Sequence, residues 1–407
     1  MPGFELFGES ERKHVNDVLN TGIIMRYGFD GPRKGIWKSK ELEAAISAKF
    51  GAKYTQVVSS GTAALVTALA AMGVGAGDEV IMPTFTFVAS FEAVITVGAV
   101  PVLVDVDDTL TLAPDAVRAA ITPKTKVIMP VHMCGSMADM DALQQICKEH
   151  KLFLLEDACQ STGATFKGKH LGTIGDAGTF SFDFVKTVTC GEGGAITTNS
   201  EEIWRKCDGF SDHGHDHLGV DRGADLHPFL GYNFRISELH AAVGLAQFNR
   251  LEEFLGIMKR NFDALKSALA DVPEISFRRI PDPSGDSHTH VSWFLPTREA
   301  TANAVALLKA EGQIAGSIYW YDHNWHYIRN WAHLKSAASL NELHPDQKAA
   351  IIHHANKDFS ASDAVIGRSV STQISLLWSE EQAREKGEKM AQVIKKSLSG
   401  EVIKLKV

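Results

Sequence analysis

Residues 54–158 alternate between short apolar runs and helical stretches, and this constrains the fold more than any other feature of the chain. YTQVVSS (54–60), EVIMP (79–83), VPVLVDV (100–106), KVIMPVHM (126–133) and LFLLEDA (152–158) read as strands. The alanine-rich run AALVTALAAMG (63–73) and residues 86–97, 114–121 and 138–150 read as the helices between them. Such alternation implies an α/β fold, a mostly parallel sheet with helices on both faces. In these sheets ligands sit at the carboxyl ends of the strands.

Several polar groups fall at those ends. Ser59-Ser60-Gly61-Thr62 occupies a strand-to-helix turn, where free N–H groups and hydroxyls suit a phosphate. The same residues also suit an ordinary helix cap. Asp157 follows an apolar run, and a carboxylate there is costly to bury without a cation. Its plainer role is a strand-end hydrogen bond to backbone. Phe85 and Phe87 follow the strand ending at Pro83, placed to stack on a flat ring or to pack in the core. In SFDFVKTVTCGEGGA (181–195), a β-like run over 178–184 delivers Lys186 beside a glycine-rich turn, and a second β-like run covers 195–198. Lys186 is a candidate activated amine, against the alternative of a surface lysine in a loop. A phosphate cradle, a ring-stacking aromatic, a buried carboxylate and a lysine, in that order, match the needs of pyridoxal phosphate.

The rest of the chain is less regular. Residues 9–20 and 39–49 have helical patterns around the loop RYGFDGPRKGIWK, which reads as a packed arm or as a substrate or subunit contact. After a helix at about 200–210 comes a loop rich in histidine and aspartate, then a long helical stretch from about Ser237. Beyond Pro273 the pattern becomes strand-like ISFRRI and VSWFLP, a helix at 300–311, SIYWY and a final helix at 379–398. The expected division is a large domain with an N-terminal arm over 1–255 and a small α+β domain over 256–407.

At 407 residues, two domains are expected. The net charge of −8, with no basic run, argues against nucleic acid and anionic membrane as partners. Five scattered cysteines, Cys134, Cys147, Cys159, Cys190 and Cys207, read as reduced thiols of a cytoplasmic protein. MPGFELFGES does not read as a signal peptide, and no apolar run approaches the roughly 18 residues of a membrane span. The pattern His213-x-His215-x-His217, with no cysteine beside it, reads as structural or substrate-facing; no metal is expected.

Six stretches carry a resemblance. They are SSGTAAL (59–65), MPTFTFVAS (82–90), PVHMCGSMADMD (130–141), LEDACQSTGATFKGKHLGTIGDAGTFSF (155–182), KTVTCGEGGAI (186–196) and GYNFRISELHAAVGLAQ (231–247). The chain resembles the DegT/DnrJ/StrS sugar aminotransferases, which have the aspartate aminotransferase fold (fold type I). By that resemblance Lys186 makes the Schiff-base link to pyridoxal 5'-phosphate and Asp157 pairs with the ring nitrogen. Gln160 would bond the ring's 3-hydroxyl, and Phe87 would stack on the ring. Gly61, Thr62 and Ser181 would hold the phosphate, and His132 would lie close to the ring. Asn233 would reach the phosphate of a neighbouring subunit, implying a homodimer with shared sites. Family members that act as dehydratases have histidine at the lysine position, so Lys186 favours transamination.

FSDHGHDHLGVDRGADLHP (210–228), YWYDHNWHYIRNW (319–331), MPGFELFG and the Arg26-Tyr27 loop resemble one branch of that family. Its members aminate the 8-aldehyde of a 3,8-dideoxy-D-manno-octulosonate, a lipopolysaccharide core sugar, with glutamate as donor. An acidic sugar calls for cations, and Arg26, His215, Arg222 and Arg329 are the candidates for its carboxylate; surface or subunit salt bridges are the alternative for each. The competing enzyme reading is a nucleotide-linked 4-keto-6-deoxy-sugar aminotransferase, which would show basic residues at the mouth of the site. A non-catalytic cofactor-binding regulator would have no need of Lys186, Asp157 and Asn233 together.

Overall fold

A computed structural model of the chain describes residues 3–399. Met1 and Pro2 of the N-terminal motif, and residues 400–407 of the expected small domain, lie outside the described residues.

Seven strands form the main sheet: β1 (Tyr54–Val58), β2 (Glu79–Pro83), β3 (Val100–Val104), β4 (Thr125–Ile128), β5 (Phe153–Asp157), β6 (Ala177–Ser181) and β7 (Gly194–Thr198). Their order is β1-β7-β6-β5-β4-β2-β3. β2 is parallel to β3 and β4, β4 to β5 and β5 to β6, while β7 is antiparallel to both β6 and β1. β1 to β6 therefore run in one direction and β7 alone is reversed. All six parallel strands end on one side of the sheet. Lys186 lies in the connection from β6 to β7, on that same side.

The helices explain their own positions. The helix Gly61–Ala71 is alanine-rich and buried on nearly every face, so it packs close to the sheet. Ser60 caps it, its hydroxyl accepting from the Ala63 N–H. Asp139, Ser200 and Ser237 cap the helices Met140–His150, Glu201–Phe210 and Glu238–Phe248 in the same way.

The second sheet has four antiparallel strands, β8 (Ser276–Phe277), β9 (His290–Phe294), β10 (Ser317–Tyr319) and β11 (Ser369–Gln373), in the order β8-β9-β11-β10. Phe254, Met258, Leu265, Trp293, Leu308, Met390 and Ile394 share its core. The helical stretch from Ser237 is two helices, the second being Leu251–Leu269. That helix runs unbroken through the boundary expected at 255, and its Phe254 is buried in the small-domain core. Leu251 of the same helix is buried in the large-domain core and Leu255 packs against it, so this helix contributes to both cores. The strands expected in ISFRRI and SIYWY are shorter, and the second gives way to a 3-10 turn at Trp320–Asp322.

Part of the C-terminal region also returns to the large domain. Trp331, Leu334, Ile351 and Phe359 are buried in the core beneath the main sheet. Gln347 donates from Nε2 to the carbonyls of Ile95 and Ala99, pinning the helix Pro345–Asn356 beside β3. Burial of these apolar side chains carries residues 320–331 across the carboxyl ends of the strands. No described helix is long and apolar enough to cross a membrane.

Candidate active site

A cavity of about 580 Å³ opens at the carboxyl ends of the parallel strands. Ser60, Gly61 and Thr62 after β1, Phe87 after β2, Asp157 and Gln160 at β5, and Ser181 and Lys186 after β6 all line it. These residues come from distant parts of the chain. One sheet direction brings their strand ends together.

At one side Gly61 sits against Ser181. A Cβ at Gly61 would lie 2.8 Å from the Ser181 Cβ, so the close approach requires glycine. Gly194 makes the matching approach from β7, where a Cβ would meet the Ser60 carbonyl oxygen at 2.4 Å. The first N–H groups of a helix have no intrahelical acceptor. Ser60 serves Ala63, leaving the Gly61 and Thr62 amides available to a ligand. Ser181 Oγ accepts from the Asp183 N–H at 3.3 Å, so its own proton is free to donate. Together these groups form an anion cradle at a positive helix end.

Asp157 is buried, 3% exposed. Its Oδ2 accepts from the Ser90 hydroxyl at 2.7 Å and its Oδ1 from the Cys159 N–H at 3.2 Å. Among the described residues no cation pairs with it, and a buried carboxylate held only by neutral donors calls for one. The Lys186 amine likewise has no carboxylate partner among the described residues; its backbone is held by Asp183 and Gly3. Phe87 is partly exposed in the cavity, with its ring 5.3 Å from that of His326. Phe85 is fully buried and packs edge-on against Trp320 at 5.1 Å, so it is a core residue.

The opposite wall comes from the small domain and was not assigned from sequence: His290, Ile318, Trp320, His323, Trp325, His326 and Gln373. Burial, with the neighbouring His323 and Lys186 charges, pushes His326 down to about 3, and burial also lowers His323. His290 is held well below its ordinary value, chiefly by burial. Burial thus disfavours the charged form of all three imidazoles. The aromatic and histidine content of 319–331 is the sequence signal that marks this wall.

Several sequence candidates lie elsewhere. His132 is fully buried and does not line the cavity. Its Nε2 bonds Glu156 at 3.1 Å and its Nδ1 accepts from the Ala138 N–H at 3.2 Å, so both nitrogens are engaged. Glu156 also accepts from the Gly172, Ile174 and Gly175 amides, making the pair a buried strut behind β5. Arg26 pairs with Glu43 at 2.5 Å and bonds Gln56 at 3.2 Å. Arg329 grips Asp363 with Nε and Nη2 and bonds the Lys357 carbonyl. His215 bonds Asp225 and Arg222, and Arg222 grips Asp212 with both terminal nitrogens. None of the four lines the cavity. Each of the four, a candidate for a substrate carboxylate, has hydrogen-bond partners within the chain. Asn233 is exposed outside the cavity of its own chain, and its side chain makes no hydrogen bond there.

The histidine loop is an ion network. Buried Asp212 accepts from His217, Arg222 and Arg235, while His217 Nδ1 bonds Asp208 at 2.6 Å and its ring stacks on Tyr27 at 4.3 Å. Burial opposes the charge on His217, but the bonds to Asp208 and Asp212 outweigh it and hold its pKa at about 9. Raised above the unfolded value of about 6.5, this group stabilises the fold fully below pH ~6.5, and the contribution is lost as pH rises through about 9. A His217→Asn variant should therefore lose more stability than wild type near pH 6 and approach it above pH 9. Denaturation midpoints measured across that range check this; a constant difference would contradict it.

The model of the DegT/DnrJ/EryC1/StrS aminotransferase family matches residues 7–348. The chain belongs to this family. GDP-perosamine synthase of Caulobacter vibrioides is 42% identical over 257 residues, 62% of this chain and 65% of that relative's length. A crystal structure of 3-amino-5-hydroxybenzoic acid synthase is 31% identical, covers 96% of this chain and 97% of its own, and superposes with a TM-score of 0.80. The structure of NtdA from Bacillus subtilis, solved with bound cofactor PMP, is 26% identical over 97% of this chain and 84% of its own, with a TM-score of 0.78. The fold is that of the fold type I aminotransferases, and the cofactor is pyridoxal 5'-phosphate.

The family's cofactor fits the residues present. The cradle at Gly61, Thr62 and Ser181 offers donors to a phosphate, and the carboxylate of Asp157 lacks the cation that a protonated pyridine nitrogen would supply. Phe87 offers a ring face, and Lys186 an amine with no carboxylate partner among the described residues.

Proposed function

We propose that this chain is a transaminase that moves the amino group of glutamate onto a carbonyl carbon of a sugar. The observation that supports this most directly is the pairing, in one cavity, of an unpaired Lys186 with a buried Asp157 that has no cation of its own. When bound, pyridoxal phosphate supplies an electron sink for the donor's α-carbon. Asp157 keeps the ring nitrogen protonated, so the sink stays strong. Lys186 Nζ would hold the cofactor and, once free, would take and return the proton of the donor's α-carbon. Ser181 and the Gly61 and Thr62 amides keep the phosphate fixed while this happens.

For the acceptor we favour the 8-aldehyde of 3,8-dideoxy-8-oxo-D-manno-octulosonate, giving 8-amino-3,8-dideoxy-D-manno-octulosonate for lipopolysaccharide core synthesis in the cytoplasm. Lys186 is the only lysine or arginine among the described residues lining the cavity. A nucleoside diphosphate would call for several cations at the mouth, whereas a single carboxylate and its hydroxyls suit neutral histidine and tryptophan donors. A second reading, a nucleotide-linked 4-keto-6-deoxy-sugar aminotransferase, is favoured by the similarity to GDP-perosamine synthase.

Absorbance of the purified protein tests both readings. Glutamate should abolish the band of the lysine-linked cofactor, and the octulosonate 8-aldehyde should restore it. Restoration only by GDP-4-keto-6-deoxymannose would select the second reading. A band indifferent to glutamate would refute transamination from this donor.

We also propose a homodimer in which exposed Asn233 serves the partner's phosphate. Asn233→Ala should then weaken cofactor binding by about ten- to a hundredfold, the ~1.5–3 kcal/mol of a hydrogen bond to a charged group. Its folding stability should not change, because the side chain makes no bond within the described chain. Cofactor titration of the apoprotein checks this; unchanged affinity would refute the shared site.

A further inference from the structure

A chain of hydrogen bonds crosses the cavity from the large domain to the small one, and its direction is fixed at both ends by backbone amides. The Cys134 N–H donates to Gln160 Oε1 at 3.1 Å. That contact sets the orientation of the side-chain amide, because Oε1 only accepts and Nε2 only donates. Gln160 Nε2 lies 3.2 Å from His326 Nε2, so this ring nitrogen accepts. A neutral imidazole that accepts at Nε2 carries its proton on Nδ1. His326 Nδ1 lies 3.0 Å from His323 Nδ1, so His326 donates and His323 accepts. The Trp325 N–H, 3.4 Å from the same His323 Nδ1, requires the same answer from the other side. The proton of His323 is then on Nε2, for which no partner stands among the described residues.

A charged His326 would break this order. Its Nε2 would present a proton to the Gln160 amide donors, and flipping that amide would forfeit the Cys134 contact. Burial keeps His326 neutral, in agreement with the geometry. Beside this chain, buried Trp320 packs against His323 and His326, and exposed Trp325 offers a flat face to the C–H surface of a sugar ring.

We propose that His323 Nε2–H is the specificity-determining donor to an oxygen of the acceptor sugar, a carboxylate or a ring hydroxyl, and that Gln160 and His326 are positioning residues that fix its tautomer. This rests on the transaminase reading of the cavity and names the residue through which that cavity would tell one sugar from another. A donor of fixed polarity rejects an analogue lacking the matching oxygen, because the N–H is then left unpaired.

Two measurements test it. In protein labelled with 15N-histidine, long-range 1H–15N correlation should show His323 as the neutral Nε2–H tautomer and His326 as the neutral Nδ1–H tautomer. His326→Phe should shift His323 toward a mixture of tautomers. An Nδ1–H form of His323 in the wild type would overturn the proposal. In steady-state assays with the octulosonate 8-aldehyde and with GDP-4-keto-6-deoxymannose, His323→Leu should raise KM for the sugar that turns over by at least tenfold. The rise should be at least fivefold larger than any rise for glutamate, and His323→Gln should recover most of the loss. Equal changes for both substrates, or none, in an active transaminase would refute the role of His323 alone. A wild-type protein that turned over neither sugar would refute the functional reading and this role with it.

Discussion

Lys186→Ala should abolish turnover while leaving the protein folded. Loss of a positioned proton-transfer group alone costs about 10²–10⁴-fold, and here the covalent tether of the cofactor goes with it. The band of the lysine-linked cofactor should vanish as well. The unfolding midpoint should stay close to wild type. The side chain makes no ion pair among the described residues, and the backbone contacts to Asp183 and Gly3 involve no side-chain atom of residue 186. Single-turnover assays with glutamate, read beside a denaturation curve, separate the two effects. A variant with turnover within tenfold of wild type would show that another amine performs the step.

Asp212→Ala should give the largest loss of stability, on the order of 3–5 kcal/mol, as expected when one partner of a buried charge cluster is removed. Asp212 is fully buried, and its carboxylate is depressed in pKa by His217, Arg222 and Arg235, whose hydrogen bonds outweigh the desolvation of burial. Without it, three cationic groups face one another at one spot. Removing one of them should recover part of the loss, so Asp212→Ala with Arg222→Ala should be more stable than Asp212→Ala alone. The backbone of Asp212 also bridges that of Asn233. The variant should therefore release cofactor more readily even where it remains folded. A denaturant midpoint near wild type would show that the network is solvated and weak.

The cavity residues proposed to hold the cofactor could be picked out in the sequence because each sits next to a strand end. Gly61, Phe87, Asp157, Gln160 and Lys186 all follow runs that read as β, and a parallel sheet gathers such ends by construction. The substrate half was not legible. Arg26 and Arg329 looked available because their partners, Glu43 and Asp363, stand 17 and 34 residues away, with nothing local to mark the pairing. His132 follows β4 as expected, and its ring bonds Glu156, a partner 24 residues away that nothing local marks. The stretch 319–331 stood out by composition, yet only its path across the strand ends shows that Trp320, His323 and His326 face the cavity while Arg329 faces away from it.

The sequence by itself therefore determined the sheet, the side of it on which the cavity opens, and the lysine and carboxylate that line it. These follow from local periodicity and from the direction of parallel strands, both short-range properties of the chain. Only the tertiary structure decided which charged groups are free and which protons point into the cavity. An ion pair or an imidazole tautomer depends on the partner that packing delivers, and here those partners come from segments as distant as Cys134, Gln160 and His326.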